Sequence, residues 1–370
     1  MALVRIHVVD PPAYTPPYDH ALSAALAAAG AQVTLVTSRF AYGGVPRGTG
    51  YTVEERFYAR VPQAPGGRGR QAVRLAQHVP DMLRYRRHAA RDADVVHLQW
   101  LSVQQLDHRL LPSGVPLVLT AHDVLPREPT RGQHEAQRRL YDRVDAVVVH
   151  SEHGRGRLVD EGDVDPAKIT VIPHGAFTHL LDVPDAQPLA AELAGVDGPV
   201  VLLFGLMRPY KGIDVAIEAW RGIEDAELWV VGMPRMDIEP LKASAPAGVR
   251  FVERFIGDAE LPAFFERADL VVLPYREIDQ SGVLFTALAF GRPLVLSAVG
   301  GFPEVAEHGG ALLVPPGDAD ALRDALRGLL EDTGARQALG DAAARAAREH
   351  YGWDAIARAH LDLYATLTGA

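Results

Sequence analysis

The sequence predicts an α/β protein built as two Rossmann-like, doubly wound domains facing each other across a cleft. Three observations predict it. The chain has 370 residues, more than a single core of ordinary size organises. Short runs rich in Val, Ile and Leu alternate with helical patterns, and continuous apolar runs suit strands covered on both faces of a parallel sheet. Between two such series lies a seam, residues 177–199, rich in Ala, Asp and Pro and without a strand pattern.

The first series is Val4–Val9, Val33–Thr37, Val95–Leu98, Pro116–Thr120, Ala146–His150 and Ile169–Ile172. Asp19–Ala29 sets Ala and Leu at helical spacing and stops at Gly30. Gln133–Arg143 is a less regular helix. The second series is Val200–Phe204, Leu228–Val231, Val249–Phe251, Leu270–Leu273, Leu294–Ser297 and Ala311–Val314. Its helices include Asp214–Arg221, Leu261–Arg267, Val283–Phe290 and Ala319–Glu331. The expected domains are therefore 1–175 and 176–350. The last helix pattern, Tyr351–Leu367, opens on Gly352-Trp353-Asp354 and has no strand after it. Its pattern alone fits the second domain and a return to the first equally well.

Composition narrows the functional classes. Hydrophobic residues make up 48% and charged residues 23%, an ordinary globular balance. A net charge of −10 disfavours a nucleic-acid partner. With no cysteine there is no disulfide, no thiolate nucleophile and no thiolate-ligated metal. The opening MALVRIHVVDPP is too short for a secretory leader and reads as a buried strand. No apolar run is long enough to span a bilayer. A cytoplasmic protein is expected.

Several loops at strand ends carry the chemistry. In Val201–Gly212, Gly205 lets the backbone turn beneath a ligand, and Arg208 and Lys211 set two cations where the chain enters a helix. Unpaired N–H groups and the helix dipole favour an anion there, so a diphosphate fits better than a solvated basic loop. Gln280-Ser281-Gly282-Val283 offers a second helix start whose amides suit phosphate oxygens, against a plain Ser281 cap. After another strand, Gly300-Gly301-Phe302-Pro303-Glu304 places Glu304 to orient hydroxyls or to favour its helix. In the first half, His122 and Asp123 follow a strand, His97 and Trp100 flank another, and His174 sits in a Pro-His-Gly turn at the seam. His122 reads as a sugar contact or as a structural histidine, and His97 and Trp100 as acceptor-pocket lining. Arginines at 68, 70, 74, 84, 86, 87 and 91, interleaved with apolar residues, suggest an amphipathic helix over residues 68–91. Such a helix suits a phosphorylated acceptor or peripheral contact with an anionic membrane at its inner face.

In this order the motifs resemble the retaining glycosyltransferases of family 4, of the GT-B fold, over nearly the whole chain and most strongly from Val200 to Pro316. The resemblance implies that Gly205 to Gly212 is the donor phosphate loop, with Arg208 and Lys211 on the diphosphate. It implies that Val171–Gly175 is the interdomain signature and that His122 contacts the transferred sugar. Ala287–Pro293, Gly301 and Glu304 match the donor domain's tail, and amides from Ser281 through Gly282, Val283 and Leu284 would meet the phosphates. The final helix, 351–367, is then expected to return to the first domain, which binds the acceptor, while 176–350 binds the donor. The implied activity is metal-independent transfer of a hexose-type sugar, with retention, from a UDP- or GDP-sugar to a hydroxyl acceptor. No cofactor is covalently bound and no metal ligand set is expected. A non-catalytic nucleotide-sugar sensor and another sugar-nucleotide enzyme on the same scaffold are the alternatives.

Two departures stand out. The family's paired glutamates, eight positions apart, fall on Ile278 and Thr286, neither a carboxylate; Glu277 or Asp279 is left as the sugar-facing acid, and Thr286 leaves ribose recognition weaker or differently arranged. The paired glycines expected after the first strand are replaced by Asp10-Pro-Pro, with Tyr18-Asp19 following as acceptor-side candidates.

Overall fold

The computed structural model describes residues 3–45, 48–62, 68–126, 131–191 and 193–369. The chain forms two compact units, one of residues 1–175 with 353–370 and the other of residues 176–352.

The first unit runs β1 (Arg5–Asp10), α1 (Pro16–Ala28), β2 (Gln32–Ser38), β3 (Thr52–Phe57), α2 (Arg68–Asp92), β4 (Val95–Leu98), α3 (Gln104–Leu110), β5 (Leu117–Thr120), α4 (Gln133–Arg143), β6 (Ala146–Val149), α5 (Glu152–Asp160) and β7 (Ile169–Val171). All its strands are parallel, in the order β3-β2-β1-β4-β5-β6-β7. The order reverses between β1 and β4. With right-handed crossovers this puts helices on both faces and opens a crevice at the carboxyl ends of those two strands. β4, β5 and β6 are buried along their whole length, as their continuous apolar runs require.

Helix α13 (Trp353–Thr368) belongs to this unit. It packs on α1 and is anchored by polar contacts as well as apolar ones. His97 of β4 lies 2.6 Å from the Tyr364 hydroxyl through Nδ1 and 2.7 Å from Thr120 Oγ1 through Nε2. At the other end, a Cβ on Gly175 would lie 2.3 Å from the Trp353 ring, so only glycine lets the indole seat there.

The second unit runs β8 (Val200–Phe204), α6 (Ile213–Ala219), β9 (Glu227–Val231), α7 (Glu239–Ser244), β10 (Val249–Val252), α8 (Leu261–Arg267), β11 (Leu270–Leu273), α9 (Gly282–Ala289), β12 (Leu294–Ser297), α10 (Phe302–Ala306), β13 (Ala311–Val314), α11 (Ala319–Glu331) and α12 (Thr333–Glu349). Its parallel sheet has the order β10-β9-β8-β11-β12-β13 and reverses between β8 and β11. Trp220, Ile217 and Leu326 are among the side chains that fill the core between α6, α11 and the sheet.

β3 had no counterpart in the sequence reading. Its residues Thr-Val-Glu-Glu-Arg-Phe lie at the sheet edge, where four of the six are exposed, so no apolar run marks it.

Candidate active site

In the second unit, the loops after β8, β11 and β12 close on one another at the reversal point. Gly205 ends β8 in the left-handed region, φ +110°. A Cβ there would lie 3.3 Å from Lys211 Nζ and 3.2 Å from Val283, so both side chains crowd over bare backbone. The chain then makes a 3₁₀ turn over Pro209–Lys211 and passes through Gly212, φ +64°. A Cβ on Gly212 would sit 2.0 Å from the Pro274 carbonyl oxygen, and one on Gly232 1.9 Å from that of Gly205. These approaches lie far inside van der Waals contact and fix the loops by backbone packing.

Lys211 is buried, and its ammonium donates to the Tyr275 hydroxyl. Arg276 forms a two-pronged ion pair with Asp214 at 2.8 and 2.5 Å, which clamps the start of α6 to the β11 loop. The Asp214 carboxyl is held below its ordinary range chiefly by that hydrogen bond. Arg208 is half-buried, and among the described residues its guanidinium has no ion-pair partner.

Ser281 stands at the N-cap of α9, yet its side chain makes no capping hydrogen bond. Its own N–H donates to Gln280 Oε1 at 3.1 Å. The first amides of α9 therefore lack the side-chain cap that the plainer reading of Ser281 required. Across from them, a Cβ on Gly300 would lie 1.7 Å from the Ile278 carbonyl oxygen, and Gly301 N–H donates to the Asp279 carbonyl at 3.1 Å. Asp279 is buried and Glu277 exposed, while Glu304 is half-buried in the first turn of α10. Thr286 is buried, and its hydroxyl donates to Gly282 O at 3.0 Å, one turn back. That bond spends the hydroxyl's proton within α9 and leaves its oxygen as an acceptor.

In the first unit the reversal point between β1 and β4 holds a cluster of rings. Trp100 stacks on His122 with centroids 5.1 Å apart and an 11° angle. Tyr18 meets His122 edge-on at 4.7 Å and lies within 5.5 Å of His150, 4.9 Å of His174 and 5.4 Å of Trp353. Trp100 Nε1–H donates to Thr15 Oγ1 at 2.8 Å, so the Thr15 hydroxyl holds the indole and leaves its own helix uncapped.

The histidines form a chain. His122 Nε2 is 3.1 Å from the Gln99 amide, His122 Nδ1 is 3.3 Å from His150 Nε2, and His150 Nδ1 donates to Ile172 O at 3.0 Å. With that last donor fixed, a neutral His150 accepts at Nε2 from His122 Nδ1–H. The Gln99 amide then donates to His122 Nε2, which matches the absence of a partner for Gln99 Nε2 in the opposite orientation. Burial keeps the imidazoles neutral, His150 pushed down to about 4 and His122 and His174 well below 6.5. Both His122 nitrogens are thus engaged within the unit. His174 bonds the neighbouring Gly175 carbonyl at 2.8 Å, and Asp123 is half-buried next to His122.

His97 is not part of this group. It is fully buried in β4 and holds Tyr364 and Thr120, so the acceptor-lining role expected for it gives way to a core role.

The loop that replaces the glycine pair is built by Asp10. Its Oδ2 accepts from Tyr14 N–H at 2.6 Å and Thr15 N–H at 3.2 Å, and Ala13 takes the left-handed turn, φ +51°. The Asp10 and Asp19 side chains are hydrogen-bonded to each other and buried, and burial raises both, Asp19 the further. One proton shared between them gives each carboxyl a partner.

The amphipathic helix expected over 68–91 is α2, and several of its arginines make contacts within the unit. Arg70 donates to Pro62 O at 3.0 Å, Arg84 to Asp81 at 2.6 Å and Arg86 to Ser113 at 3.2 Å. Among the described residues, no helix is long and apolar enough to cross a membrane, and no group of three His, Asp or Glu is set to hold a metal ion.

Residues 18–179 match the family model Glycosyltransferase Family 4, and residues 198–332 match Glycosyl transferases group 1. The chain is 30% identical to the D-inositol 3-phosphate glycosyltransferase of Xylanimonas cellulosilytica, over 94% of this chain and 90% of that protein. It is 27% identical to the enzyme of the same name from Kineococcus radiotolerans, over 75% of this chain and 72% of that one. Among solved structures, sucrose-phosphate synthase from Thermosynechococcus elongatus superposes with a TM-score of 0.75 at 23% identity, covering 99% of both chains. HepE of Anabaena, in complex with UDP and glucose, gives 0.74 at 19% identity, covering 98% of this chain and 100% of that one. These likenesses show the fold, which is GT-B. Two parallel doubly wound sheets, the second with glycine-floored loops at its reversal point, build that fold, and the family models and curated relatives show a glycosyltransferase. The chain belongs to glycosyltransferase family 4.

Proposed function

We propose that this enzyme moves a hexose from a UDP-sugar to a hydroxyl of a small polyol-like acceptor, with retention and without a metal ion. The observation that carries the reading is the buried Lys211 ammonium, held by Tyr275 beside the glycine floor at Gly205. An ammonium taken out of water beside uncapped helix amides suits a bound polyanion. UDP is preferred over GDP because HepE of Anabaena was solved with UDP-glucose, and a trehalose-6-phosphate protein of E. coli with UDP-2-fluoro glucose.

On this reading Lys211, Arg208 and the first amides of α9 stabilise the charge that grows on the departing diphosphate. Asp279, buried at the β11 loop, is the acid nearer the sugar, and Glu304 faces its hydroxyls. The bond from the anomeric carbon to the β-phosphate oxygen breaks, and the bond to the acceptor oxygen forms on the same face. The acceptor's proton passes to the leaving phosphate oxygen. His122, neutral and braced by Trp100, gives the sugar a hydrogen-bond partner by releasing the Gln99 amide.

The test is transfer from UDP-glucose to myo-inositol and D-inositol 3-phosphate in the presence of EDTA, with the product anomer read by NMR. An α-linked product formed at full rate in EDTA supports the reading. An inverted product, or activity abolished by EDTA and restored by a divalent ion, overturns it.

A further inference from the structure

Arg74 of α2 differs from the other arginines of its helix in what holds it. Its guanidinium lies 4.9 Å from the Tyr58 ring centroid, and Nη2 donates to Ser102 Oγ at 3.2 Å. Those neighbours are neutral, and among the described residues Arg74 has no ion-pair partner. Its support is rigid. Tyr58 Oη is 2.7 Å from Ser102 Oγ and 2.8 Å from His78 Nδ1, and His78 Nε2 is 2.6 Å from Asp107 Oδ1. His78 and Asp107 are both fully buried, and Asp107 also accepts from Val103 N–H at 2.8 Å. A chain of five side chains, rooted in the core, therefore ends on a half-buried cation.

The cation stands at the first unit's reversal point. Ser102 follows the end of β4, two residues after Trp100. Arg74's positive charge also bears on the Asp10 carboxyl at the end of β1, lowering it against burial. Asp10 does not neutralise Arg74, since that carboxyl is engaged by two amides and by Asp19. A planar guanidinium beside a hydroxyl is a receptor for a tetrahedral anion: the fork supplies paired N–H donors, and Ser102, which accepts from Tyr58 and Arg74, keeps its own O–H for a further oxygen.

We propose that Arg74 and Ser102, braced by Tyr58, form a binding subsite for a phosphomonoester on the acceptor. The proposal rests on the glycosyltransferase reading and names its acceptor class, a phosphorylated polyol either free or as a lipid headgroup.

The test uses the full chain. Binding of inorganic phosphate, D-inositol 3-phosphate and myo-inositol is measured by calorimetry on wild type, Arg74→Ala, Arg74→Lys and Ser102→Ala, together with sedimentation onto vesicles containing phosphatidylinositol phosphate. UDP binding is measured in parallel, as a check on the second unit and on folding. D-Inositol 3-phosphate is expected to bind wild type about 10- to 100-fold more tightly than myo-inositol, the range of a charge-assisted hydrogen-bond pair. Arg74→Ala removes that preference, Ser102→Ala weakens it and Arg74→Lys restores part of it, all with unchanged UDP affinity. Wild-type sedimentation with the vesicles, lost in Arg74→Ala, assigns the phosphate to a headgroup, and binding only to the soluble phosphates assigns it to a free acceptor. Equal affinity for the two inositols, or a phosphate preference that survives Arg74→Ala, overturns the proposal. Those outcomes, with UDP still bound, leave the transferase reading standing.

Discussion

Lys211 and Tyr275 meet from two different strand ends, the ammonium on the hydroxyl, and the pair closes the β8 loop against the β11 loop over Gly205. Tyr275 was not singled out from the sequence, since nothing in Leu-Pro-Tyr-Arg marks it as a lysine's partner. Its place follows from β8 and β11 being neighbours in the sheet. Lys211→Met is expected to lower kcat at least 100-fold, the usual loss for one donor to developing charge. Tyr275→Phe keeps the cation and the ring beneath it but removes the hydroxyl that accepts from the ammonium, and is expected to cost about 10-fold. Steady-state kinetics with circular dichroism on both variants checks the order of the two losses.

Gly300 presses on the Ile278 carbonyl oxygen more closely than any side chain permits. Gly300→Ala forces the 277–281 loop outward and strains a left-handed backbone position, φ +57°. Donor affinity is expected to fall more than 10-fold, with a loss of stability of about 2 kcal/mol or more. Urea unfolding and UDP binding on this variant measure the two effects separately.

The buried histidines set a pH dependence whose sign follows from their direction of shift. His150 titrates near 4 in the folded chain and near 6.5 unfolded, so the unfolded state binds more protons between those values. Its contribution is complete above pH 6.5, declines as pH falls towards about 4, and stays lost below that. His122 and His174, lowered for the same reason, act in the same sense. Melting temperature is expected to drop steeply from pH 6.5 to 4.5, and His150→Gln to flatten that drop.

Asp19 acts in the opposite sense. Burial and the neighbouring Asp10 raise it, so the folded chain keeps a proton that the unfolded chain gives up. The stability it lends is present below about pH 4 and lost as pH rises through the folded value. Asp19→Asn, which supplies a donor without a proton to lose, is expected to stabilise the chain at pH 7 relative to wild type. It is expected to confer little or nothing at pH 3.5. Chemical denaturation at both values compares the variants.

Buried strands were legible in the sequence because a parallel sheet covered on both faces demands unbroken apolar runs, as in β4, β8, β11 and β12. The edge strand β3 was not, because it carries charge outward. The Ala- and Arg-rich helix α12 also went unread, since it buries only small residues, Gly340, Ala343, Ala346 and Ala347. In the site, Gly205, Lys211 and Gly212 could be read from one contiguous stretch. Of the ring cluster, Tyr18, Trp100, His122 and His174 were marked as site candidates, but that they meet one another and His150 and Trp353 could not be read, because the six come from separate segments. His150 had a usable signal: it follows β6 much as His122 follows the neighbouring β5. His97 takes a core role in place of a pocket-lining one, because position at a strand end does not reveal whether an imidazole faces the core.

The most direct test of the donor-site account is equilibrium binding of UDP, GDP, ADP and dTDP to the purified chain, with and without EDTA, in wild type and in Arg208→Ala and Lys211→Ala. The account predicts that UDP binds most tightly, is indifferent to EDTA, and loses at least 10-fold in affinity in each variant while the melting temperature holds. Weak binding of all four nucleotides, or UDP binding that needs a divalent ion and survives both substitutions, would contradict it.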